Sequence, residues 1–223
     1  MRNLGLSDPC NPTLLDESAI VRNGLVLYLD AANKKSYPGY GTRWADLSGN
    51  NNHATLTNSP TIVNNVMRFA GTSYATAASL NLSSGQSTVI AASRYYNGGA
   101  YQRIISSQAN NWLLGHWSGN VLGCYQEGWL YNAVGGVDYN WRIYASTTNT
   151  ASTTGAFFSN GALLARGSAG YTGPNGIVIG RSGVYTGEIS TCECGFVLAY
   201  NRVLTDQEIL DIYNAMRVRF IFV

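Results

Sequence analysis

The chain has 223 residues, of which only 12% are charged: 14 basic and 12 acidic side chains give a net charge of +2, against a usual charged fraction of about 25%. Such a balance leaves no basic cluster for nucleic acid, and no apolar run approaches the roughly 20 residues of a membrane span. Glycine, asparagine, serine and threonine together supply 84 residues, while 45% of the chain is hydrophobic; a chain of this length and kind folds as one all-β sandwich or barrel with a wet surface of amides and hydroxyls.

Residues 1–22 read as an extended arm, because Pro9 and Pro12 break any periodicity; Leu14, Leu15, Ile20 and Val21 are its apolar anchors. The first residues lack the apolar core of a secretory signal. A domain spanning 23–223 follows. Leu25-Val26-Leu27-Tyr28-Leu29 is a dense apolar run that suits a buried strand, and residues 30–52, rich in Pro, Gly, Ser and Asn, read as loop. Short segments then recur at all-β spacing: 66–69, 88–95, 103–107, 112–117, 121–125, 138–145, 155–159, 162–166, 176–180 and 194–200. Asn160-Gly161 between two apolar runs calls for a tight hairpin, since both central residues of such a turn need positive φ. Thr205-Asp206-Gln207-Glu208 is a capping box opening one helix, with Ile209, Leu210, Ile212, Tyr213 and Met216 on its apolar stripe and Arg217 and Arg219 at its end. Four cysteines stand at 10, 124, 192 and 194. Cys192 and Cys194 would share one strand face, poor geometry for a mutual disulfide, so the thiols read as buried and reduced.

Three C-terminal elements carry a family resemblance. Phe157-Phe158-Ser159-Asn160-Gly161-Ala162-Leu163-Leu164, then Ile177-Val178-Ile179-Gly180, then Cys192 to Tyr200 with Asn201-Arg202-Val203-Leu204-Thr205-Asp206-Gln207-Glu208-Ile209 resemble, in order, the closing half of laminin-G-like, concanavalin-A-like domains. Asn23 to Gly39, continued by Gly41-Thr42-Arg43-Trp44-Ala45-Asp46-Leu47-Ser48-Gly49-Asn50, resembles the opening of laminin-G-like proteins of tailed phages, marine ones especially. The resemblance implies an antiparallel two-sheet jelly roll with one short C-terminal helix. It also implies a non-enzymatic virion structural protein, assembled in the host cytoplasm: a capsid-surface decoration or a fibre or appendage protein. Its arm, through Leu14, Leu15, Ile20 and Val21, would dock on a capsid or tail protein, and symmetric sites would favour a homo-oligomer. The alternative is a lectin-like adhesion module for cell-surface glycans, with calcium as its one candidate cofactor.

The residues themselves weigh on these readings. Some concanavalin-A-like sandwiches are glucanases, but a retaining glycosidase needs two carboxylates about 5 Å apart. In Glu188-Ile189-Ser190-Thr191-Cys192-Glu193, Ser190 stands where a middle Asp would be, and the two Glu differ by an odd number, so a regular strand points them apart. No nucleophile elbow is present, and Ser118 near His116 forms no catalytic pattern. Asp46 with Asn50, Asn51 and Asn52, preceded by Asp30, offers oxygens to calcium, although Asx side chains in turns usually bond their own backbone. For sugars, alternation puts Trp112, Leu114 and His116 on one face and Trp117 on the other. Tyr95, Tyr96, Tyr101, Tyr125, Tyr139 and Trp141 add rings, most of them core. Trp117, Trp129 and Tyr131 are the candidate glycan contacts, the last two in an expected loop.

Overall fold

The computed structural model describes residues 20–96, 101–133 and 135–220. Within them, short runs broken by Asn, Gly and Ser turns form β1 (Leu25–Asp30), β2 (Arg43–Trp44), β3 (Ala54–Thr57), β4 (Thr61–Val63), β5 (Val66–Phe69), β6 (Tyr74–Asn81), β7 (Gln86–Tyr95) and β8 (Ile105–Ser106). The second half adds β9 (Trp112–Trp117), β10 (Asn120–Gln126), β11 (Trp129–Asn132), β12 (Arg142–Asn149), β13 (Thr154–Ser159), β14 (Ala162–Gly167), β15 (Asn175–Ile179) and β16 (Cys192–Tyr200), then α1 (Asp206–Met216). The strands make two antiparallel sheets, the two layers of the expected jelly-roll sandwich. One runs β14-β13-β12-β7-β16-β5-β4 with β1 also on β16; the other runs β11-β10-β9-β8-β15-β6-β3-β2.

The two sheets face each other across one core that includes Leu27, Trp44, Phe69, Trp112, Tyr144 and Phe157. A second core lies on the back of the first sheet, where Tyr28, Ile90, Phe158, Phe196, Leu198 and Tyr200 meet Ile209, Ile212 and Met216 of α1. The helix starts as its sequence requires: the Thr205 side chain accepts from the Glu208 amide, and Glu208 accepts from the Thr205 amide. Asn160 and Gly161 both take positive φ, 51° and 78°, in the β13–β14 turn.

A bulge at Gly195 decides which residues of β16 face which core. The register slips between Cys194 and Phe196, so Cys192, Cys194, Val197 and Ala199 point between the sheets while Phe196, Leu198 and Tyr200 point to the helix. A Cβ on Gly195 would lie 2.4 Å from the Phe220 ring, so only glycine admits that ring. Cys124, Cys192 and Cys194 are buried free thiols, and burial pushes each thiol pKa up; Cys10 lies outside the described residues.

Ile20 and Val21 correct the reading of the arm. Ile20 is buried in the second core and so is not left for a partner, while Val21 packs against that core half-buried. Leu14 and Leu15 lie outside the described residues. The segment 30–52 is more than a loop, since it holds β2 and the fully buried Trp44. Its Asn and Asp side chains close the outer edge of β1: Asn50 and Asn52 donate to the Leu25 and Val26 carbonyls at 3.0 and 2.8 Å, and Asp46 accepts from the Tyr28 amide at 2.8 Å. An otherwise open sheet edge is thereby covered.

The sequence places β5 and β9 at their observed bounds but misses β3, β4, β6 and β11 and sets β12 four residues early. β6 is Tyr-Ala-Thr-Ala-Ala-Ser-Leu-Asn, too poor in bulky residues to announce a strand. β12 continues through Ser146, Thr147 and Thr148, all buried between β7 and β13, with the Thr148 and Ser87 hydroxyls bonded to each other.

His116 makes a measurable consequence of this packing. It is wholly buried between the Tyr95 and Tyr144 rings, with centroids 4.8 and 5.1 Å away. Desolvation first, and Arg142 second, bring its pKa from 6.5 down to about 3. Between those values the unfolded chain binds the proton and the folded chain does not, so this contribution to stability is complete above pH 6.5 and lost as pH falls. Urea unfolding between about pH 6.5 and 5 should show stability falling by up to about 1.4 kcal/mol per pH unit from this site, and His116→Gln should flatten that slope.

Candidate functional site

The outer face of the second sheet carries an aromatic cluster. Trp117 ends β9, Tyr125 stands on β10 and Trp129 opens β11. The Trp129 ring centroid lies 5.3 Å from Trp117 and 5.1 Å from Tyr125, the latter edge to face. Trp129 is 37% exposed, and Trp117 and Tyr125 are half-buried beside it. Polar groups border the rings. Trp117 Nε1 donates to Glu188 at 3.5 Å, Glu188 pairs with Arg103 at 2.5 Å, and the Arg103 guanidinium lies 5.1 Å over the exposed Tyr185 ring. Arg103 also donates to Asn111 at 2.7 Å, and the Asn111 amide donates to Glu127 at 2.7 Å.

The structure brings Trp117 and Trp129 together, as their candidacy requires, but separates Tyr131 from them. Residues 129–132 form a strand rather than a loop. Alternation would put Trp129 and Tyr131 on one face; instead the register slips, so that Tyr125 faces Trp129 while Cys124 faces Tyr131. Tyr131 therefore turns inward, 5.7 Å from the Phe157 ring. Tyr125, noticed in the sequence only as one ring among several, takes its place in the cluster.

The remaining candidates fall elsewhere. Glu188 borders the aromatic face of the second sheet, whereas Glu193 lies on the back of the first, between two core-facing cysteines and bound to Arg68 and Arg94. The core separates these carboxylates, so they do not form the close pair that glycoside cleavage demands. Asp46 bonds its own turn: Oδ1 accepts from the Tyr28 and Ser48 amides, and Oδ2 from the Ser48 hydroxyl and the Asn52 amide at 2.7 and 3.0 Å. Asp30 is forked by Arg219 at 2.6 and 3.1 Å. Among the described residues no three His, Cys, Asp or Glu side chains converge on one point, and no helix is long and apolar enough to cross a membrane.

No protein-family model matches the sequence, and no curated protein matches it significantly. Solved structures do match. A Trypanosoma rangeli sialidase in complex with sialic acid superposes on 89% of the chain with a TM-score of 0.62 at 16% identity. The binding domain of botulinum neurotoxin DC in complex with SialylT covers 86% with a TM-score of 0.58 at 13% identity. The binding domain of Paraclostridial mosquitocidal protein 1 covers 86% with a TM-score of 0.60 at 15% identity. The fold is a jelly-roll β-sandwich. The chain spans 34% of that sialidase and 52% of each toxin domain, and at these identities the likeness concerns the fold.

The bulge in β11 predicts unequal outcomes for two residues only two positions apart. Tyr131→Ala should lower unfolding stability by about 1–3 kcal/mol, as expected for a ring packed on the core, and should cost more than Trp129→Ala, whose ring stands on the outer face. Urea titration of both variants measures the difference.

Proposed function

We propose that this chain is a non-enzymatic carbohydrate-binding module whose contact surface is the Trp117–Tyr125–Trp129 face. The observation that carries the reading is the contact among three rings, one of them exposed, on the outer face of a sandwich. An apolar ring face with a polar tip suits a pyranose, which is apolar on its C–H face and polar at its rim. Glu188 and Glu127 supply acceptors for sugar hydroxyls beside the rings. Two fold neighbours support the class of ligand, since their structures hold sialic acid and SialylT. Because Asp46 and Asp30 already have hydrogen-bonding partners, the binding is proposed to need no calcium.

A virion-surface placement is a compatible second proposal. It rests on the resemblance of the block from Asn23 to Asn50 to phage virion proteins. Docking on a capsid or tail protein would then fall to residues before Ile20, which packs on its own domain.

A glycan array followed by calorimetry tests the module. Binding of at least one oligosaccharide class is expected, with Trp129→Ala weakening it about tenfold or more and chelator leaving it unchanged. A flat array, or full binding by the Trp129→Ala variant, would overturn the proposed surface.

A further inference from the structure

The back of the first sheet holds a different feature beside the helix-covered core. A cleft of ≈ 380 Å³ is lined by Asn64, Arg94, Tyr139, Trp141, Glu193 and Arg219, among others. An adjoining hollow of ≈ 360 Å³ shares Arg94 and Tyr139 and adds Tyr96. Either volume reaches the roughly 300 Å³ at which small-molecule sites begin, enough for one sugar ring.

Among the described residues, the ions at and beside this cleft do not balance. Three guanidinium groups, those of Arg68, Arg94 and Arg219, meet two carboxylates, those of Glu193 and Asp30. Arg219 and Asp30 neutralise each other almost fully buried, with side chains 4% and 2% exposed. Glu193, 1% exposed, is shared by Arg68 and Arg94, which keep 23% and 31% of their side chains in solvent. One positive charge is therefore left over, and it sits on the two arginines that open to solvent.

Those arginines are also held in place before any ligand arrives. Arg68 reaches Glu193 Oε1 through Nε and Nη2 at 2.8 and 2.6 Å, and Arg94 reaches Oε2 through Nε and Nη2, both at 2.7 Å. Aromatic rings support both planes: Arg68 lies 3.7 Å over Tyr96 and Arg94 lies 5.0 Å over Trp141. Arg94 Nη1 makes a long 3.4 Å bond to the Tyr139 carbonyl, which a stronger acceptor would replace. Tyr139, 47% exposed, presents a ring whose hydroxyl is fixed by Tyr101 at 2.9 Å. A preformed guanidinium with surplus charge beside an open ring matches a planar carboxylate carried on a sugar ring.

We infer that this cleft is a second binding site, for a carboxylate-bearing monosaccharide unit of the uronic or sialic acid class. The carboxylate meets Arg94, whose partner Glu193 is shared with Arg68, and the sugar ring lies against Tyr139. The inference shares with the proposed function only the choice of a saccharide ligand; its residues are separate from the Trp129 face.

Calorimetry on the full chain with glucuronic acid, N-acetylneuraminic acid, glucose and inorganic phosphate tests it, at about 50 mM and about 0.5 M salt. At least one acid should bind about tenfold or more tightly than glucose and weaken at high salt. Arg94→Gln and Tyr139→Ala should each weaken the acid about fivefold or more. Tyr139 is exposed, so its variant tests the site even if Arg94→Gln disturbs the buried Glu193. Equal affinity for acid and glucose, no binding of either acid, or unaltered binding by Tyr139→Ala would overturn the inference. Phosphate binding as tightly as the acids and displacing them would overturn the sugar assignment. Loss confined to Trp129→Ala would place the acid on the other face and leave the module reading standing.

Discussion

All nine residues of β16 are buried, because one side of the strand lies between the sheets and the other lies under α1. In a regular strand Cys192, Cys194, Phe196, Leu198 and Tyr200 would all share one face; the bulge at Gly195 changes the phase, so the cysteines stay between the sheets and the three larger side chains turn to the helix. Phe196, Leu198 and Tyr200 then anchor the helix, each burying an apolar side chain worth roughly 1.5–3 kcal/mol. Upstream of the bulge, the same strand presents Glu193 on its outer side between two buried cysteines. That carboxylate is kept there by Arg68 and Arg94, whose pairing offsets the large cost of burying a charge.

The two outer faces of the sandwich differ as a result. The back of the first sheet is closed by α1, Phe220 and the incoming Ile20, leaving the arginine cleft beside the packed region. On the outer face of the second sheet, three linked rings stand with Arg103, Glu188 and Tyr185 around them. The ions beside both features are held by specific partners, Glu188 by Arg103 on one face and Glu193 by Arg68 and Arg94 on the other.

Much of the architecture could be read from residue pattern. The Thr205–Glu208 box, the Asn160-Gly161 turn and the apolar runs of β5, β9 and β16 are local signals, and local signals survive folding. Trp117 was separable from Trp112, Leu114 and His116 because β9 alternates from Leu113 to Trp117 without interruption in the facing of its side chains. Trp129 and Tyr131 were not separable, because a bulge depends on how β10 and β11 pair, which no window of residues encodes. The cleft was hidden for a related reason: Arg68, Arg94, Glu193 and Arg219 come from three strands and the chain beyond α1. The Asp46 segment follows the habit of Asx side chains in turns, which the sequence also suggests. In the fold Asp46 Oδ1 accepts from the Tyr28 amide while the Asn50 and Asn52 side-chain amides donate to the Leu25 and Val26 carbonyls, which completes the edge of β1.

The central claim is that the Trp117–Tyr125–Trp129 face receives a saccharide. The chain has five tryptophans, and they occupy distinct settings: Trp44 and Trp112 in the core, Trp117 and Trp129 on the aromatic face, and Trp141 at the cleft. Two-dimensional NMR of the five indole N–H groups during titration with neutral and sialylated oligosaccharides reads all three settings at once. The account predicts that the Trp117 and Trp129 signals move together and saturate while Trp44 and Trp112 stay still. Saturating binding that leaves Trp117 and Trp129 unmoved would contradict it.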